Sequence, residues 1–297
     1  MKKYFVSILT ATYNRGENIK KLYQSLANQT NFDFEWVVID DGSVDNTENI
    51  MQEFIQNGSD DFSIKYVKKE NGGKHTALNV AHDYVFGNVV FMVDSDDELT
   101  SDAVEVVIDA WKKYDEDDIG IVAFERMTSS GEKLGSFPDQ LYIGSDLNYK
   151  VKLNLKGDYA ETIKTSVFKK FKFPVFEGER FSSEGWLFKS IMLDGWQSVN
   201  ISYPICVGDY LDGGLTRGGL ASRLKAPKGM MLNTDLNLRV ANRFSQVTKQ
   251  AIIFDIYSLE AGEIFSRDRF NEYKILKILS LPFAAIIRWA VKMRRAI

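Results

Sequence analysis

Cysteine and histidine are almost missing from this sequence. A single cysteine, Cys206, excludes an intrachain disulfide and is read most simply as a small buried apolar residue. The 2 histidines, His75 and His82, fall on one stretch expected to be helical, so a histidine-built metal site is a poor reading. His75 is expected to make local hydrogen bonds and His82 to be an ordinary helix residue. Excess positive charge is missing too: a net charge of -4 argues against a general nucleic-acid binder. Internal repeats and low-complexity tracts are absent, and no apolar run reaches the roughly 18 residues needed to cross a bilayer. The opening "MKKYFVSILTATYN" turns polar too soon to be read as a signal peptide. What remains is ordinary globular composition, 297 residues with 44% hydrophobic and 26% charged, enough for one large domain or a domain with a subdomain.

The first half alternates strands and helices. "YFVSILTA" (4–11), "EWVVID" (35–40), "SIKYV" (63–67), "NVVFMV" (88–93) and "IGIVAF" (119–124) are short apolar, β-branched runs. Between them lie stretches of helical period, such as Ile19, Leu22, Tyr23 and Leu26 on one face, then Ile50, Met51, Phe54 and Ile55. Asp45, Asn46 and Thr47 offer caps to the second helix and Thr100 to the fourth; the third is expected over "KHTALNVAHDYVF" (74–86). Such βαβ units predict a mostly parallel sheet flanked by helices.

A polar cluster follows each of the first four strands: Thr10, Thr12, Tyr13, Asn14 and Arg15; "DDGS" (40–43); "ENGGKH" (70–75); and "DSDDE" (94–98). In a parallel sheet these ends share one edge, where ligands of open α/β sheets bind. The cleft is not a dinucleotide site, because "TATYNRGEN" lacks G-x-G-x-x-G, and "GGKHT" lacks the first glycine of a P-loop. Asp94, Asp96, Asp97 and Glu98 repel one another. Clustered carboxylates suit a hard divalent cation, Mg²⁺ or Mn²⁺, which would bridge them to a diphosphate.

"VSILTATYNRGENIKKLYQSLANQT", "FEWVVIDDGSVDNT" and "VFMVDSDDEL" resemble the inverting family-2 glycosyltransferases of GT-A fold, over roughly the first 125 residues. "FPVFEGERFSSEGWLFKSIMLDG" and "GDYLDGGLTRGG" are similar to a polysaccharide-building bacterial branch. The resemblance implies a nucleotide-sugar donor, usually a UDP-sugar, and a metal bound through D-x-D. Thr10, Ala11 and Tyr13 match its first nucleotide-contacting segment, Asp41 the base-reading acid, and Lys74 a nucleotide-touching region. Asp94, Ser95 and Asp96 match D-x-D, with Asp96 expected on the metal and Asp94 on the ribose side or the metal; Asp97 is left open. Inversion is a direct displacement that needs one carboxylate as base. The family often supplies it as Glu-Asp at a helix start; here Glu184 is followed by Gly185, with Glu177 and Glu179 as competitors and Ser182 or Ser183 as helix caps. Arg217 lies on a glycine-rich loop suited to closing over a diphosphate.

The catalytic domain is expected over residues 1–220, with a nucleotide-sugar half (1–125) and an acceptor half (126–220), followed by a helical extension (221–297). In the second half, "MTSSGEKLGSFPDQ" (127–140) reads as loop, and "DYAETIKTSVFKKFKFP" (158–174) as a strand or turn and a short helix. Near the end an apolar stretch, 278–287, interrupted by Pro282, is bordered by Lys274, Lys277, Arg288, Trp289, Lys292, Arg294 and Arg295. It reads as a helix lying in an anionic membrane surface, against the alternative of a helix packed on the catalytic domain or on another subunit of a homo-oligomer. The expectation is a cytoplasmic inverting hexosyltransferase, peripheral on the inner membrane face. It would pass sugar to a glycan or lipid-linked glycan in cell-surface or capsular polysaccharide synthesis. The alternatives are a sugar-phosphate nucleotidyltransferase, whose glycine-rich loop after strand one is missing, and a non-catalytic nucleotide-sugar or glycan scaffold.

Overall fold

The computed structural model describes residues 3–209, 220, 223–263 and 273–293. They form two compact units, one of residues 1–172 with 194–209, the other of 173–193 with 210–297. These units do not follow the boundary expected near residue 220: the segment holding Glu184 groups with the C-terminal helices.

The first unit is built on β1 (Val6–Thr12), α1 (Gly16–Ala27), β2 (Phe34–Asp40), α2 (Thr47–Asn57), β3 (Ser63–Lys68), α3 (Lys74–Ala81), β4 (Val89–Met92), β5 (Glu98–Leu99), α4 (Ala103–Tyr114), β6 (Ile119–Met127), β7 (Leu141–Gly144), β8 (Tyr159–Lys164), α5 (Thr165–Phe168) and β9 (Gln197–Val207). Among the described residues these strands make one nine-stranded sheet, in the order β3-β2-β1-β4-β8-β6-β9-β5, with β7 beside β9. β1, β2, β3 and β4 pair parallel, as do β6 and β9. β8 runs antiparallel between β4 and β6, so β6 still points with the first four strands. Six of the nine strands therefore share one direction, and β5, β7 and β8 oppose it. The chain steps outward from β1 to β3 and returns to β4 on the other side of β1, so β1 and β4 flank a switch point.

The core is the one the helical period marked. Ile19, Leu22 and Leu26 of α1 and Val104, Val107 and Trp111 of α4 pack on Val6, Ile8, Trp36 and Val38. Each such side chain contributes about 1.5–3 kcal/mol on burial. Tyr23 stacks on Phe54 at 4.0 Å between ring centroids, which ties α1 to α2. A carboxylate inside this core, Glu35, accepts hydrogen bonds from Ser7 Oγ (2.7 Å) and the Phe86 amide (2.9 Å), so its burial is compensated.

Local expectations shift in two places. α3 stops at Ala81, short of residue 86, where successive amides tighten to carbonyls three residues back (Asp83 to Val80, 3.2 Å; Tyr84 to Ala81, 3.0 Å). The chain must then pass close to β1, since a side chain at Gly87 would stand 2.6 Å from the Ser7 amide. Thr100 does not cap α4; its hydroxyl donates to Asp102 (2.7 Å), and Asp102 occupies the cap position.

The second unit contains α6 (Gly185–Leu193), α7 (Pro227–Val240), α8 (Phe244–Ala261) and α9 (Lys274–Met293). Met231, Leu238, Ala251, Phe254, Tyr257 and Ala284 form its apolar core. Pro282 lies inside α9 and does not interrupt it.

Candidate active site

The register aligns the strand ends. Thr12 stands opposite Asp40, Asp40 opposite Lys68, and Leu9 opposite Met92. The loops that follow are stitched together. Asn14, at φ 51°, donates its amide to Ser43 Oγ (2.8 Å) and accepts the Val44 amide on its side chain (2.8 Å). Its left-handed backbone turns the chain sharply from strand to helix, a conformation asparagine tolerates better than most residues.

Asp41 is the hub of this edge. It is buried, and its carboxylate accepts Lys69 Nζ (2.7 Å) and the Gly72 amide (3.0 Å) on one oxygen, the Gly73 amide (2.6 Å) and Asn71 Nδ2 (3.2 Å) on the other. Thr76 Oγ1 adds a longer contact at 3.5 Å, so both carboxylate oxygens are engaged by the loop and the start of α3. Gly73, at φ 94°, is needed for the close turn that aims its amide at Asp41 and starts α3. Asp41 therefore organises the loop that presents Lys74.

Lys74 faces Asp94. The two form an ion pair, and Lys74, with Arg126 and Arg15 further away, holds the Asp94 carboxyl below the usual range against partial desolvation. Asp97 is buried and bound by Arg126 Nη2 at 2.6 Å, with Cys206 Sγ at 3.8 Å. Burial, with Asp94 and Asp96 beside it, pushes Asp97 up to about 7 against the pull of Arg126. A side chain at Gly208 would stand 1.9 Å from Asp97, so glycine there leaves the room this pair needs. Two of the three aspartates thus have a cation from another element. Asp96 has no side-chain partner among the described residues.

The remaining expected residues divide. Tyr13 is exposed at 45% of its surface, an aromatic face at the end of β1, and Ala11 is partly exposed. Thr10 requires correction: its side chain is fully buried and accepts Trp36 Nε1 at 3.1 Å, so its hydroxyl serves the core and not the cleft. Ser95 is buried between the two acids. His75 is buried with Nδ1 unpartnered, not locally bonded as expected, and burial lowers its pKa. Glu184 belongs to the other unit, half-buried immediately before α6, with its carbonyl accepting the Leu187 amide (2.9 Å). Its rival Glu179 is taken: its two oxygens accept the Lys228 (2.8 Å) and Gly229 (2.9 Å) amides at the start of α7. Glu177 is exposed, and Ser182 Oγ is buried with no partner and caps nothing. Arg217 lies outside the described residues.

Lys69 and Arg126 were not among the sequence candidates. Lys69 directly follows β3, the rule that had singled out the acids after β4, so its signal was there; Arg126 lies inside β6, one residue before its end, and that rule does not reach it.

The profile of glycosyl transferase family 2 matches residues 7–177. The chain belongs to that family. Chondroitin synthase of Escherichia coli is 36% identical over 108 residues, 36% of this chain and 15% of that protein. Glycosyltransferase GlyA of Streptococcus pneumoniae serotype 4 is 32% identical over 132 residues, 44% of this chain and 18% of that protein. The chain thus spans less than a fifth of the length of these relatives. Among solved structures, TarS 1-349 of S. aureus in complex with UDP-GlcNAc superposes with a TM-score of 0.64 at 21% identity, covering 95% of this chain and 79% of that one. A mannosyltransferase from Pyrobaculum calidifontis in complex with GDP-Man and Mn2+ gives a TM-score of 0.56 at 16% identity, over 97% of this chain and 88% of that one. The fold of this family-2 member is GT-A.

Proposed function

We propose that the protein is an inverting, metal-dependent glycosyltransferase that moves a sugar from a UDP-sugar to a hydroxyl of a glycan in polysaccharide synthesis. One observation carries the reading: within Asp94–Asp97, foreign cations neutralise Asp94 and Asp97 and leave Asp96 without a partner among the described residues. No group of three or more histidine, cysteine or acid side chains stands ready for a metal among the described residues. Mg²⁺ or Mn²⁺ can be held by one or two carboxylates and complete their shell with water and phosphate oxygens. Asp96 and the half-exposed Asp94 are the ligands assigned. Bound there, the cation would offset charge on the departing diphosphate.

The chain's own groups do the rest. Tyr13 offers a ring for the base to stack on, with Ala11 beside it. Asp41 is assigned to the uracil N3–H, and to accept it must release one of its loop donors. Lys74, already paired with Asp94, can turn its charge to the diphosphate once a cation takes its place. Glu184 is the base: it takes the acceptor hydroxyl's proton as that oxygen attacks the anomeric carbon and the bond to the diphosphate breaks, giving a β-linkage from an α donor. TarS was solved with UDP and with UDP-GlcNAc, which favours uridine over other nucleotides. Arg217 as a lid cation, a glycan or lipid-linked glycan as acceptor, a cytoplasmic setting and peripheral attachment to the inner membrane face belong to the same proposal.

Glu184→Gln tests the base. Transfer should fall about a hundredfold to ten-thousandfold with UDP affinity unchanged. Full transfer by this variant would remove Glu184 from the mechanism.

A further inference from the structure

Helix α9 is turned the wrong way round for a helix of a globular domain. Its large apolar residues face out: Ile275 is 77% exposed, Leu279 65%, Phe283 62%, Ile286 66% and Trp289 65%. Their spacing of three and four makes one stripe along the helix. Lys277, Ser280 and Ala284, on the opposite side, are buried.

Polar latches hold that rotation. Lys277 Nζ pairs with Asp235 of α7 at 3.2 Å and lies 4.0 Å over the Phe254 ring of α8. Ser280 Oγ donates to Asp255 of α8. Further along, Arg288 (2.6 Å) and Lys292 (2.8 Å) converge on Glu260 of α8. Turning α9 about its axis to hide the stripe would take Lys277 away from Asp235 and Phe254 and Ser280 away from Asp255 in the interior.

We propose that this face docks on an anionic lipid surface. The inference deepens the peripheral attachment proposed above and does not depend on the transfer reaction. Charge selects the occupant. The chain is net -4, yet α9 contains no acid; three of its four basic residues are held by Asp235 and Glu260, Lys274 stays exposed, and the sequence continues with Arg294 and Arg295. Lys274 is exposed beside the stripe, and Trp289 sits near its end. Apolar residues flanked by cations, with an aromatic at the boundary, suit the plane between headgroups and acyl chains. A second copy meeting this face would bring a second exposed Lys274 and no acid on its own α9 to pair with it. No helix among the described residues is long and apolar enough to cross a membrane, so the stripe is suited to lying on one.

The test is co-sedimentation of the full chain with phosphatidylcholine vesicles and with equal-part phosphatidylcholine–phosphatidylglycerol vesicles. Binding should be at least about tenfold tighter to the mixed vesicles, and Lys274→Gln should weaken it about fivefold. Phe283→Glu combined with Ile286→Glu should weaken it about a hundredfold, since both residues are exposed and a charge there opposes insertion. That variant should keep its melting temperature and its UDP-induced thermal shift, which separates this inference from the nucleotide reading. Three outcomes overturn the proposal: no vesicle binding, equal binding to neutral and anionic vesicles, or a concentration-dependent dimer that the double variant abolishes.

Discussion

In the first unit, β1 and β2 bury Val6, Ile8, Trp36 and Val38 and push Asp41, Asp94 and Asp96 to the sheet edge; in the second, α9 buries Lys277 and Ser280 and pushes Ile275, Phe283 and Ile286 to the surface. The difference lies in what each set of polar groups finds as a partner. At the sheet edge, the loops leave Asp96 without a side-chain partner among the described residues, which fits a site awaiting a ligand. Between the helices, Asp235 and Asp255 have protein partners, and their pairing fixes which way an otherwise amphipathic helix faces. Asp96 is open to a ligand, whereas Asp235 and Asp255 are held by neighbouring helices.

The largest effect should come from breaking the architectural pair. Asp235→Ala removes the carboxylate that the buried Lys277 Nζ meets at 3.2 Å, and the second unit should lose about 3–5 kcal/mol, read as an early melting transition. In the first unit, Asp41→Asn replaces two accepting oxygens with one, strands part of the 69–73 loop, and should cost about 1–3 kcal/mol, with faster amide exchange at Gly72 and Gly73. A subtler probe is Asp255, which burial raises to about 6 while Ser280 and Lys277 pull it down. A raised acid binds more protons folded than unfolded. Its contribution is therefore complete below the ordinary carboxylate range and is lost as the pH rises through about 6. Asp255→Asn should flatten that part of the melting-temperature profile. The smallest effect belongs to the exposed stripe: Phe283→Glu with Ile286→Glu should change stability by no more than about 0.5 kcal/mol per site, read in the melting temperature, since both side chains are mostly exposed.

The sheet edge was legible in the sequence because strand, loop and helix follow one another with a short period, and apolar runs that end abruptly in acids declare both the strand and its open end. That pattern placed the clusters 40–43 and 94–98 at the edge; the choice of Asp41 within the first rested on the family resemblance. The pairing between loops did not: nothing local ties Lys74 to Asp94, Arg126 to Asp97, or Lys69 to Asp41, because each pair bridges separate elements. The tie of Glu179 to the start of α7, through the Lys228 and Gly229 amides, shows only in three dimensions. Thr10 misled because it follows the same apolar strand as Tyr13 while strand alternation turns its hydroxyl to Trp36. The composition of α9 showed in the sequence, but the face it presents did not, since Lys277 and Ser280 look like solvent-facing residues until Asp235 and Asp255 arrive from other helices.

Calorimetric titration of UDP in the presence and absence of Mn²⁺, on the wild type and on Asp96→Asn, meets the central claim most directly. Wild-type binding should need the metal, and Asp96→Asn should bind at least about a hundredfold more weakly with Mn²⁺ while matching the wild type without it. Equal metal-dependent affinity in the two proteins would contradict the assignment of Asp96, and with it the reading of the unpartnered carboxylate as the place where metal and nucleotide meet.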